Sequence, residues 1–164
     1  MESGFILDPP GKISDWIKLS DVAEYLREQI KVNDDAENKE EAEELAEYIR
    51  EGWSEIAKHA EGLRIKVKVL ARHKVLELEE NARSYNEKHP IRIASLKSNG
   101  EIMRAGLSAI DGIKDMAGLK FGSEEFFLTL ENSKLDSLLA NAIMKYNQLG
   151  PEERAGFFTQ GQVA

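Results

Sequence analysis

The stretch from Glu40 to Lys88, EEAEELAEYIREGWSEIAKHAEGLRIKVKVLARHKVLELEENARSYNEK, decides what fold the chain adopts. Apolar residues fall at Ala42, Ala46, Ile49, Trp53, Ile56, Ala60, Leu63, Val67, Ala71, Val75, Leu78, Ala82 and Tyr85. Each step is three or four residues, so on a helix these side chains form one stripe along one face. The mean step of about 3.5 is the period of a helix–helix seam. Two arrangements follow from it. Either the segment is one long helix whose stripe is covered by another subunit, or Glu61-Gly62 is a turn and the halves fold back as a helical hairpin. A hairpin centred on Gly62 sets Trp53 level with Ala71, Ile49 with Val75 and Ala46 with Leu78. Glycine weakens a helix interior by about 1 kcal/mol relative to alanine and is favoured just past a helix end, which supports the hairpin. Gly52 has no such boundary near it and must sit inside a helix. A third pattern competes locally. Ile65, Val67 and Val69 alternate with Lys66 and Lys68, the period of two expected of a half-buried strand.

The expected fold is therefore mainly α, with a helical hairpin or long central helix over about 39–88 and a smaller C-terminal helical part. Working outward, residues 1–19 read as an N-terminal arm, because Asp8-Pro9-Pro10-Gly11 is incompatible with helix. The helical spine covers 20–89, beginning with a short helix from Asp21 to about Lys31 that Ser20 is placed to cap. Asn33–Glu44 has the faint outline of a calcium loop but lacks its glycine, and its acidic run suits the positive end of a helix better. His89-Pro90 ends the spine, since the residue before proline avoids the α region. A smaller, mostly helical part fills 90–150. Ile91-Arg92-Ile93 alternates and Asn99-Gly100 is a tight-turn dipeptide, so a short β-hairpin over about 91–105 is expected there. Glycines recur at 106, 112, 118 and 122 amid a helical spacing of Leu107, Ile110, Ile113 and Met116. Ser123 is placed to cap a turn holding Phe126 and Phe127. Asn132 or Ser133 is placed to cap a helix whose stripe is Leu135, Leu138, Leu139, Ala142, Ile143, Tyr146 and Leu149. Gly150 and Pro151 close that helix and open a C-terminal turn and tail over 151–164. At 164 residues, all of this fits one domain.

Composition narrows function by exclusion. The chain has no cysteine, which removes disulfides, thiolate metal sites and a cysteine nucleophile. His59, His73 and His89 show no metal-ligand spacing, and no glycine-rich phosphate loop or GxSxG elbow occurs. No cofactor and no enzymatic activity are expected. A net charge of −8 opposes bulk attraction to nucleic acid or anionic membrane. No apolar run is long enough to span a bilayer, and no secretory signal is apparent at the start, so a cytoplasmic location, or a particle assembled there, is expected.

Charge is uneven along the spine. Asn33–Glu51 holds nine acidic residues against two basic, whereas Lys58–Lys74 holds six basic against one acidic. The basic segment either meets an acidic surface, in this chain or another copy, or contacts phosphates through Arg64, Lys66, Lys68, Arg72 and Lys74. It contains no aromatic residue to stack on bases.

The expected function is a non-enzymatic structural or assembly subunit that packs through amphipathic helices and terminal arms. Its partners would be copies of itself or subunits of a larger assembly. Ile49, Trp53, Ile56 and Val67 are the expected seam, and Phe157 and Phe158 the expected anchors of a docking tail. The layout over residues 19–65, a short helix, IKVNDD, a long acidic helix and then GLRIKV, resembles that of phage head–tail connector adaptors. It spans under a third of the chain, and what it implies is a virion connector or accessory protein. The alternative is a nucleic-acid-binding accessory factor acting through the basic segment 64–74.

Overall fold

A strand, not a turn between paired helices, occupies the centre of the decisive stretch. The computed structural model describes residues 7–32, 35–116 and 118–155. The chain order is β1 (Ile17–Lys18), α1 (Leu19–Glu28), α2 (Lys39–His59), β2 (Arg64–Val67), α3 (Arg72–Lys88), α4 (Ile91–Gly106), β3 (Leu107–Asp111), α5 (Glu124–Asn132), α6 (Asp136–Gln148) and α7 (Pro151–Ala155). The protein is mainly helical with one small antiparallel sheet, as its apolar spacing leads one to expect.

The long central helix and the Gly62 hairpin are both corrected. Gly62 does turn the chain, at φ +85°, but it turns α2 into β2. α2 packs on α1, and α3 packs on α4 across the His89-Pro90 break. The physical reason lies in Ile65, Val67 and Val69. Their β-branched side chains enter the core on one side while Arg64, Lys66 and Lys68 stay half-exposed on the other. Backbone pairing on both sides of the strand completes what the alternation proposes. β1 pairs with β2 through Ile17–Ile65 and Lys18–Arg64. β3 pairs on the opposite edge through Arg64–Asp111, Ile65–Ile110 and Lys66–Ala109, then shifts at a bulge to Val67–Leu107. At the end of this pairing Gly112, at φ +101°, lies against the carbonyl of Gly62, where a side chain would collide with backbone.

The N-terminal arm, where described, belongs to the same molecule. Ser14 N–H donates to the Val67 carbonyl at 2.8 Å, and the buried Ser14 hydroxyl accepts from the Val67 N–H at 2.8 Å. Gly11 N–H donates to the Val69 carbonyl, and Val69 N–H to the Lys12 carbonyl, both at 2.8 Å. Residues 11–18 thus run along β2 and extend its edge.

The expected β-hairpin over 91–105 is also corrected, since those residues form α4. Ala94, Gly100, Ile102, Met103 and Gly106 of α4 are buried, a helical spacing that the short Ile-Arg-Ile alternation conceals. Asn99 does not turn the chain; its amide donates to Asp136 at the start of α6. Gly106 is where α4 meets α6, and an added Cβ would run into Ile143. Leu107 and Ile110, which keep a helical spacing, lie on β3 instead. Two capping expectations move as well. α1 starts at Leu19 with Lys18 at its cap, and α6 starts at Asp136 after Lys134 at φ +66°, while Ser133 ends α5. Ser123 caps α5 as expected, accepting from the Phe126 N–H at 3.2 Å. Asn38 caps α2 by accepting from the Glu41 N–H, so Glu40–Glu44 form the first turns of a helix rather than a cation loop.

The core gathers Ile17, Leu19, Val22, Ile65, Val67, Met103, Phe126, Leu138, Leu139 and Ile143. α6 lies deepest, against α4, α1 and α3. Its Asn147 is buried and fully engaged. The side-chain oxygen accepts from Leu70 N–H at 2.8 Å, and the amide donates to the carbonyls of Lys68 and Ile143 at 3.1 and 3.0 Å. Arg154 fastens the two described ends of the chain. Its guanidinium donates to the Tyr146 carbonyl at 3.0 Å, to the Asn147 carbonyl at 3.3 Å and to the Asp8 carboxylate at 3.3 Å. The hydrogen bond from Lys12 at 2.7 Å, helped by Arg154, holds the Asp8 carboxyl below the usual carboxylate range against the opposing effect of burial.

Candidate interaction surfaces

α2 is 21 residues long and its partner α1 is 10, so at about 1.5 Å per residue α2 runs well past the helix it packs on. Only Ala46 and Ala57 of α2 are buried. Leu45 is 60% exposed, Tyr48 75% and Ile49 37%, and with Gly52 they recur at the helical spacing of three and four residues. Glu44 and Glu51, one turn either side of Tyr48, border this face and are exposed. Arg50 anchors the same helix from its other side, donating to the Ile30 carbonyl at 2.9 Å.

The seam residues expected from the sequence divide between this face and the core. Ile49 is on the face. Trp53 and Ile56 are half-buried and pack against the core, so they hold α2 down rather than present it. Val67 is fully buried in β2 and has no surface to offer a partner, because the strand turns it inward. Phe157 and Phe158 lie outside the described residues. Leu45 and Tyr48 were missed, since they sit one position off the long stripe. A second spacing, Leu45–Tyr48–Gly52, was the signal that marked them.

The five basic residues also divide. Arg64, Lys66 and Lys68 share the outward face of β2, whereas Arg72 and Lys74 belong to the first turn of α3. Lys18 joins the first group by standing opposite Arg64. Arg64 pairs with Asp111 at 2.5 Å, and that contact lowers the Asp111 pKa. The Trp16 ring lies 4.9 Å from both the Arg64 guanidinium and the Lys66 ammonium. An aromatic residue absent from the basic segment is thus delivered to it by the arm, some fifty residues away in sequence. Ile13, 40% exposed, bridges to Lys68 beyond it.

Among the described residues, clefts open elsewhere as well. One of about 480 Å³ lies between the arm and α6, lined by Asp8, Arg72, Asn147 and Arg154; another, of about 550 Å³, lies between α1 and α2 and is lined by Ser20, Arg27, Ser54 and Lys58. In the first, Asp8, Asn147 and Arg154 are engaged in the structural contacts described above. Among the described residues, no three histidine or carboxylate side chains are placed to hold a metal ion, and no helix is long and apolar enough to cross a membrane. Comparison with protein-family models, with curated proteins and with solved structures finds no match.

Proposed function

We propose that this chain is a non-enzymatic assembly subunit whose contact surface is the outward face of α2. The observation that carries the reading is the cluster Leu45, Tyr48 and Ile49. These are three large apolar side chains on one helical face, more exposed than their size favours, in a 21-residue helix with only two buried residues. Tyrosine on a rigid helix makes contact area at small entropic cost. The resemblance of the 19–65 layout to head–tail connector adaptors favours a virion-type particle as the setting.

The reading is tested with a Leu45→Ser/Tyr48→Asp double variant, measuring solution mass against concentration and retention of protein partners. The wild-type chain is expected to form a larger species, alone or with a partner, that the variant loses while melting at an unchanged temperature. Equal behaviour of the two chains in both measurements overturns the reading. A second reading, nucleic-acid contact, draws on Arg64, Lys66, Lys68 and Trp16 sharing one sheet face. Its mark is binding that weakens steeply with salt.

A further inference from the structure

Resting on that reading, we infer that the occupant of the α2 face is a second copy of this chain, seated by its own basic sheet face. The argument is one of complementarity in both charge and form. α2 carries Glu40, Glu41, Glu43, Glu44, Glu47, Glu51 and Glu55 against Lys39, Arg50 and Lys58. The outward face of the sheet carries Lys18, Arg64, Lys66 and Lys68 against Asp111. No residue of that sheet face is buried, whereas Ile17, Ile65, Val67 and Leu107 on the inward side all are. A sheet with one covered and one open face is a ready platform for an amphipathic helix. The face is not purely ionic, since Trp16 and the exposed Ile13 supply apolar surface. Leu45, Tyr48 and Ile49 would lie against Trp16 and Ile13, with Glu44 and Glu51 reaching the lysines at the rim.

Within one chain α2 packs mainly on α1, which leaves its outward acidic face for the basic sheet of another molecule. Such a contact joins two different surfaces. It is therefore heterologous, and repetition closes a ring or extends a filament rather than stopping at a two-fold dimer. Because the opposed charges are partly exposed, the association is sensitive to salt.

The test is a charge exchange. One variant is Glu44→Lys/Glu51→Lys, the other Lys66→Glu/Lys68→Glu, and Lys18→Glu probes the same sheet face at an exposed position. Each variant alone sets like charges against each other and is expected to sediment as a monomer at concentrations where the wild type does not. An equimolar mixture of the two opposes unlike charges at both contacts and is expected to regain the wild-type mass. A wild-type chain that is monomeric up to about 1 mM at low salt overturns self-docking, as does a mixture that stays monomeric. If Lys66→Glu/Lys68→Glu and Lys18→Glu leave the mass unaltered while Leu45→Ser/Tyr48→Asp abolishes assembly, the sheet is not the occupant and only this inference falls. If neither set matters, the α2 reading falls with it. Loss of salt-sensitive DNA binding in Lys66→Glu/Lys68→Glu with no change of mass would assign the sheet face to nucleic acid instead.

Discussion

α2 and α6 are both helices read from apolar spacing, yet α6 buries seven of its 13 residues and α2 two of its 21. Spacing marks which side chains share a face. It is silent on how many neighbours surround that face. α6 lies among α1, α3 and α4, and even its polar Asn147 is drawn inside and satisfied there. α2 leans on the shorter α1, and its two buried residues are alanines. The first helix holds the fold together; the second is held by it.

That contrast predicts a graded series of effects. Leu139→Ala in α6 removes a fully buried side chain where several helices meet and is expected to cost about 2–5 kcal/mol, read from denaturant midpoints. A cost as small as that of a surface change would break the assignment of α6 as the core helix. Asn147→Ala leaves the Leu70 N–H and the Lys68 carbonyl without their side-chain partner. About 1–3 kcal/mol should be lost, with faster amide exchange at Leu70 as the local sign.

Asp8→Asn tests the fastening of arm to C-terminal turn and is expected to cost roughly 1–2 kcal/mol at neutral pH, reduced because Lys12 is half in water. The pH dependence has a definite sign. The folded state lowers the Asp8 pKa, so the stabilisation is present above the unfolded pKa and is lost as pH falls through the folded one. The difference between wild type and Asp8→Asn should therefore hold from neutral pH down to about pH 4 and close below it. A gap that instead widens with acid would contradict the pairing.

The smallest change in stability belongs to α2. Leu45→Ser/Tyr48→Asp should alter unfolding free energy by no more than about 0.5 kcal/mol per site while removing association. A large loss of stability there would mean that this face is structural after all, and the contrast between the two helices would collapse.

Much of the architecture was legible in residue order. The α6 stripe from Leu135 to Tyr146 is buried as its spacing requires, the break at His89-Pro90 is real, and Ser123 caps the helix it precedes. The expected interaction site was legible only in part. Ile49 is surface, but Val67 is core, and nothing local to Val67 says which side of a strand will be covered. Arg64, Lys66 and Lys68 were recognisable as a basic run, while Trp16 reaches them through a strand pairing between segments far apart in sequence.

By itself, then, the sequence determined the mainly helical class, the α6 stripe, the break at His89-Pro90 and the absence of thiol chemistry, because these depend on side-chain type and spacing over a few residues. Only the tertiary structure decided that Arg64–Val67 is the middle strand of a sheet rather than the bend of a helical hairpin. The same four residues satisfy both periods over so short a run, and the partners that choose between them, Ile17 and Ile110, lie some forty-five residues away on either side.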